Sequence, residues 1–311
     1  MRECLGSALA ESGPGCQVVV VDDGSTDGGH EEVPDDPRIT WIQRPAEGIV
    51  SALEAGRAAC IHPFIARLDV DDVALRGRLH MQQAFLAANP GVAVVGGQAD
   101  LIRHEQCSNE GMSLYVDWVN GLEDLHREIL VESPLFHPAV LMRADAVEAV
   151  GGYQHGDIPE DYDLWLRLVS AGYSLGAVRQ RVVRIRDRPG RLTRTDPRYS
   201  LEAFDRVKRA WLGNGPLRST QRVALWGAGR TGKRWLRWLL AEGHDVCAVV
   251  DPFCNTERQG IKVQPPSALS GLDTDVLLVA VGARGARPEI RSQLGAIRPD
   301  WSEGRDWWFL A

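Results

Sequence analysis

The chain of 311 residues is 44% hydrophobic and 25% charged, an ordinary globular balance, and its length suits about two domains. Its formal charge of −7 excludes a general nucleic-acid binder, which needs a basic face for phosphates. No apolar run approaches the ~20 residues of a membrane span, no signal-peptide pattern opens the chain, and six cysteines without a Cys-x-x-Cys pair predict a reduced, cytoplasmic protein.

In chain order, Met1–Ser12 has a helical apolar pattern, and Cys16–Val21 is a continuous β-branched run ending in Asp22-Asp23-Gly-Ser25, a buried parallel strand and its turn. Ile39–Gln43 is a short strand, Gly48–Cys60 a helix, Pro63–Leu68 a strand, Leu75–Ala88 a helix and Val92–Arg103 a longer strand. His104–Tyr115 is polar and irregular, a predicted loop. A helix near Trp118–Val131, a strand over His137–Arg143 and a helix opened by Pro159-Glu160-Asp161 follow. This alternation predicts a layered α/β sheet with ligands beyond the carboxyl ends of its strands.

The strand Phe64–Leu68 stops at three carboxylates, Asp69, Asp71 and Asp72. Alternation along extended chain puts Asp69 and Asp71 on one side, where they repel unless a cation lies between them. Mg²⁺ or Mn²⁺ takes such oxygens and leaves positions for phosphates and water, so the stretch reads as a metal–diphosphate site. The competing reading is an acidic helix start with Asp71 or Asp72 as cap. Glu160 and Asp161 are equally open, because acids in a first helical turn also complement the dipole. Eight arginines between Arg179 and Arg198 form a basic segment, either a clamp for a diphosphate or anionic acceptor, or a solvated linker.

The Gly213–Pro216 break marks a boundary, and the pattern restarts. Strand Arg222–Trp226, the loop Gly227-Ala-Gly229-Arg-Thr-Gly232, a helix to Leu240 and strand Asp245–Val250 ending at Asp251 have the context of a dinucleotide fingerprint, the acid lying 19 positions past the third glycine. A further strand, Asp275–Val281, brings the expected total to about four, a half-sized nucleotide-binding-like module.

Together, Val21–Asp27, Arg67–Asp72, Arg78-Leu79, His137-Pro138 and Glu160–Arg167 resemble family 2 glycosyltransferases, inverting, metal-dependent enzymes of the GT-A fold, over roughly residues 1–187. The resemblance implies a GT-A-type mixed, mostly parallel sheet flanked by helices over 1–187; the restarted pattern beyond it gives a linker and helix over 188–220 and a small Rossmann-like α/β domain over 221–311. The resemblance also implies that Asp22, Asp23, Ser25, Arg67, Asp69, Arg78 and His137 bind a nucleotide-diphosphate-sugar, with Asp22 and Asp23 at base and ribose. Asp71 and Asp72 hold Mn²⁺ or Mg²⁺, and Asp161, beside Glu160, is the general base that takes the acceptor hydroxyl's proton. One base opposite the leaving group means a single inverting displacement. The reading requires Asp23, Asp71 and Asp161 to line one cleft.

The implied acceptor is a saccharide or a lipid-linked sugar in envelope polysaccharide assembly, at the cytoplasmic face of the membrane or peripheral to it, with no nucleic-acid partner. Family members begin with a central strand and a Pro-x-Tyr/Phe-Asn turn; this sequence starts after them, so a shortened start is expected, at roughly 1–3 kcal/mol for each buried backbone group left unpaired. In the C-terminal module Gly227, Gly229, Gly232 and Asp251 offer a site for NAD(P), though no catalytic pair accompanies them. Two further function classes stand beside the transferase: a non-catalytic nucleotide-sugar-binding protein with a degenerate donor site, and an NAD-dependent oxidoreductase acting through the C-terminal domain.

Overall fold

The first elements of the computed structural model follow their sequence pattern: helix α1 (Arg2–Glu11), strand β1 (Val18–Asp22), strand β2 (Ile39–Gln43) and helix α2 (Ile49–Ala59). Residues 1–105, 107, 110–219 and 222–311 are described. They form two units, Met1–Glu123 with Ser133–Val207, and Asp124–Glu132 with Lys208–Ala311. The fold is mixed α/β, with parallel-rich sheets flanked by helices. No helix among the described residues is long and apolar enough to cross a membrane.

In the first unit β1 and β2 make a two-stranded parallel sheet of their own. Strands β3 (Phe64–Ala66) and β4 (Val73–Ala74), helix α3 (Arg78–Ala88), strand β5 (Val92–Arg103) and helix α4 (Gly111–Asn120) follow. The helix expected from Leu75 starts only at Arg78, because Val73-Ala74 pairs as a strand. Part of the predicted loop is helical: Met112, Tyr115, Val116 and Val119 recur at helical spacing, and their apolar face packs on the core. Residues 106, 108 and 109 of that loop lie outside the described ones. The helix expected over Trp118–Val131 ends at Asn120, and Asp124 then caps a separate short helix, α5 (Leu125–Glu128), in the second unit.

His137–Ala139 is a 3₁₀ turn rather than strand, since Pro138 has no N–H for a ladder; strand β6 is only Leu141–Arg143. Helices α6 (Ala144–Ala149) and α7 (Glu160–Ser170) lead to strand β7 (Ser174–Asp187). The five-stranded sheet has the order β3-β6-β5-β7-β4, with β5–β7 parallel and the other pairs antiparallel. The arginine segment is therefore strand as far as Asp187; beyond it lies a short helix, α8 (Leu192–Thr195), before helix α9 (Leu201–Asn214). Val95, Ala99, Val182, Val183 and Ile185, on β5 and β7, form the centre of the apolar core with Leu86 and Phe136.

The second unit holds strand β8 (Arg222–Trp226), helix α10 (Arg230–Ala241), strands β9 (Asp245–Val250), β10 (Glu257–Arg258), β11 (Ile261–Gln264) and β12 (Val276–Val279), helix α11 (Ala286–Ile297) and strand β13 (Trp307–Phe309). Its sheet has six strands where about four were expected: short runs such as Trp307–Phe309 show no alternation, because they are buried on both faces. Five of them are parallel in the order β11-β9-β8-β12-β13, the doubly wound arrangement whose switch point lies beside β8.

Candidate functional site

Strand pairing assembles the acids. The chain between β3 and β4 carries Asp69, Asp71 and Asp72, and β4 pairs antiparallel with β7 in the register Val73↔Arg184. That register sets the following arginines against the acids. The Arg186 N–H donates to Asp72 Oδ1 (2.8 Å), Arg186 Nε donates to the Asp71 carbonyl (3.1 Å), and Arg188 pairs with the Asp71 carboxylate. Arg67 pairs with Asp69.

One oxygen from each of Asp69, Asp71 and Asp72 lies within 4.8 Å of the others. Asp72 is fully buried, and its Oδ2 has no hydrogen-bond partner. Burial, then Asp69 and Asp71 beside it, push its carboxyl up to about 7. Burial opposes ionisation of Asp69 as well, but Arg67 outweighs it and holds that carboxyl below its usual range. An orphaned buried oxygen among three carboxylates marks a place short of positive charge, and three hard oxygen donors fit a divalent ion.

The second acidic pair begins α7 behind Pro159, where first-turn carboxylates favour the positive helix end. Glu160 is 2% exposed, with the Tyr199 hydroxyl 2.8 and 3.0 Å from its two oxygens. Asp161 is half-buried; its Oδ1 accepts from the Tyr162 N–H (2.8 Å). Burial and the neighbouring Glu160 push the Asp161 carboxyl up to about 7. His137 is buried, with Nε2 2.8 Å from the Tyr153 hydroxyl and Nδ1 4.0 Å from Glu160. Burial and then Arg67 hold it well below its ordinary value, so its imidazole is neutral.

Asp69, Asp71, Glu160 and Asp161 line one cavity of about 280 Å³ in the first unit, together with Arg67, His137, Arg188 and Arg191. Met112, Tyr115, Leu135 and Phe136 supply apolar wall. A cationic, acidic and partly apolar cavity can hold an anionic ligand, a divalent ion and a hydroxyl to be deprotonated.

Other expected residues lie elsewhere. Asp22 ends β1 and Asp23 follows it, but neither they nor Ser25 line the cavity. Asp22 Oδ1 accepts the Ser25 N–H (2.8 Å), which with a second bond from Ser25 lowers its pKa. Asp23 accepts the N–H groups of Glu47 (3.0 Å) and Gly48 (2.8 Å) and does not line the cavity, so the expectation of one cleft for Asp23, Asp71 and Asp161 is met only for Asp71 and Asp161. The connection is indirect: Gly48 precedes Ile49, which does line the cavity. Arg78 is 2% exposed and absent from the lining; its Nη2 donates to the carbonyls of Arg67 (2.7 Å) and Val140 (3.0 Å). It braces the acid-bearing loop instead of facing a ligand, and burial lowers its pKa to about 10.

In the second unit Gly227 has φ +119°, and a Cβ there would meet the Ala280 carbonyl at 2.7 Å. A Cβ on Gly232 would meet the Gly227 carbonyl at 1.8 Å, whereas one on Gly229 would enter open space. Asp251 already accepts two backbone N–H groups, from Ala228 (2.8 Å) and Phe253 (2.9 Å), one on each oxygen, so it fastens the glycine loop.

Sequence reasoning missed Tyr199 and the apolar wall. Arg188 and Arg191 carried a signal, the arginine run, but only the β4–β7 pairing brings Arg188 against Asp71.

Residues 1–132 match the family model of glycosyl transferase family 2. The amylovoran biosynthesis glycosyltransferase AmsE of Erwinia amylovora is 32% identical over 139 residues, 45% of this chain and 50% of that protein. An Escherichia coli protein, UDP-Gal:α-D-GlcNAc-diphosphoundecaprenol β-1,3-galactosyltransferase, is 27% identical over 139 residues, 45% of this chain and 49% of its own. The chain thus spans about half the length of these curated relatives. Among solved structures, the mannosyltransferase PcManGT of Pyrobaculum calidifontis, in complex with GDP-Man and Mn²⁺, aligns with a TM-score of 0.48 at 16% identity, over 78% of this chain and 74% of that one.

Proposed function

We propose, for a chain whose residues 1–132 match the family model of glycosyl transferase family 2, that the first unit transfers a sugar from a nucleoside-diphosphate-sugar to a hydroxyl of a saccharide or lipid-linked acceptor in polysaccharide biosynthesis. The observation that carries this is one cavity lined by Asp69 and Asp71 of the acid triad together with Asp161, with Asp72 buried behind them. A sugar hydroxyl is a poor nucleophile, so a carboxylate must take its proton as it attacks the anomeric carbon. Asp161 is the better base of the pair, because Glu160 is already engaged by Tyr199 and Asp161 accepts only a backbone N–H among the described residues. Its raised pKa, near the working pH, suits proton transfer.

Asp69, Asp71 and Asp72 would hold Mn²⁺ or Mg²⁺, which when bound supplies positive charge to the departing diphosphate. Arg67, Arg188 and Arg191 line the same cavity and stabilise the same developing charge. A lone base requires no covalent nucleophile, so the displacement is single and inverting. The donor base lies toward Ile49 and the turn that Asp22, Asp23 and Ser25 build.

A screen of nucleotide-sugars with Mn²⁺, reading released nucleoside diphosphate, tests the reading. Release from at least one donor, lost in Asp161→Asn, supports it; no release from any donor overturns it. The second unit has the strand order and open space at Gly229 of a nucleotide-binding module, but no catalytic pair accompanies them in the sequence, and we assign it no redox role.

A further inference from the structure

The segment past β7 carries Tyr199, which no motif singled out, yet it supplies the side-chain hydrogen bond to Glu160, at 2.8 and 3.0 Å. Glu160 and Asp161 are consecutive residues at one helix start, so the state of either sets the field at the other. Arg67, Arg198, His137 and Tyr153 also act on the pair, and Asp69, Asp71, Arg188 and Arg191 line the same cavity. His137 is neutral, and Tyr153 points its hydroxyl at His137. Tyr199 is thus the neutral donor that holds Glu160.

We propose that Tyr199 is a positioning residue: by donating to Glu160 it keeps that carboxylate charged and pinned, which leaves Asp161 as the base and sets the pH at which it accepts a proton. The inference rests on the transfer reading for Asp161. Burial and the two carboxylates raise the Tyr199 pKa, so its hydroxyl stays protonated and remains a donor. Burial raises the Glu160 pKa; the Tyr199 hydroxyl, bonded to the charged form, opposes that rise, and a charged Glu160 in turn raises Asp161. Removing the hydroxyl relaxes both effects. Glu160 then takes a proton more readily, and Asp161 ionises at lower pH.

The experiment is a double-mutant cycle of Tyr199→Phe and Glu160→Gln, with two readouts. Carboxyl-¹³C NMR titration of Asp161 in the full chain, without donor or metal, measures the pair directly. The acid limb of the pH profile for nucleoside diphosphate release measures it in turnover. Tyr199→Phe is expected to move the Asp161 titration and the acid limb down by roughly half a pH unit or more, and to move neither once Glu160 is Gln. No shift in the native background overturns the proposal. An equal shift in the Glu160→Gln background overturns it too, because Tyr199 would then act independently of Glu160. If the NMR shift is present but no donor is turned over by any variant, the positioning role of Tyr199 stands and the transfer reading fails.

Discussion

The two units place acids alike, at a strand's end or a helix's start, and use them to opposite ends. At Asp251 the pattern closes on itself: both carboxylate oxygens accept backbone N–H groups, and Arg258 donates to the Ala228 carbonyl (3.0 Å) of the same loop. At Asp72 and Asp161 it stays open, with one orphaned buried oxygen and two carboxyls raised to about 7. The satisfied acid stabilises a fold. The unsatisfied ones store electrostatic free energy that a cation or a proton releases, which is how a site is told from a structural acid.

The largest effect that tests this contrast is on turnover. Asp161→Asn should lower nucleoside diphosphate release by about 10²–10⁴-fold, the span of general-base catalysis, while the protein stays folded. Retained activity in that variant would move the base elsewhere. Next is Asp71→Ala, which should abolish the thermal stabilisation that UDP or GDP gives with Mn²⁺ and leave the stability of the nucleotide-free protein little changed, as read by differential scanning calorimetry. An undiminished Mn²⁺-dependent shift would place the ion away from the triad.

A third test concerns pH. Folding raises the Asp161 and Asp72 pKa values above their unfolded ones, so the native state binds more protons at these sites than the unfolded state does. The stability they contribute is full below the unfolded carboxylate range and is lost as pH rises through about 7. In Asp161→Asn the metal-free Tm should therefore gain on the native protein between pH 5 and 8; a constant difference would show that Asp161 is not strained.

The second unit should respond differently. Gly232→Ala drives a Cβ into the Gly227 carbonyl and should unfold that unit, and Asp251→Ala, by freeing two backbone N–H groups, should cost about 1–3 kcal/mol. Neither residue lines the cavity. Gly229→Ala should change stability by less than about 0.5 kcal/mol. If it nevertheless abolishes quenching of tryptophan fluorescence by NADH, the open space above Gly229 is a ligand site.

Strands β2, β5, β8 and β9 were legible to the residue, because β-branched runs between breakers leave the chain few alternatives. The acids of the two motifs stood out by residue type, but cap and site readings stayed open on the residues alone, and His137 entered only through the family resemblance. Strand β13 was not legible, because three residues are too few to show a period and burial on both faces erases it; β6 lay inside an expected strand that ran too long at its start.

The chain on its own determined which acids are available and that they end strands or begin helices. It did not decide which remain unsatisfied. Arg78 and Arg188 both sit near the acid motif or within an arginine run, yet one is enclosed against carbonyls and the other pairs with Asp71. Tyr199 reaches Glu160 across 39 positions. A carboxylate's pKa depends on water excluded and on donors within a few ångströms, and both are set by the tertiary packing of segments far apart in sequence.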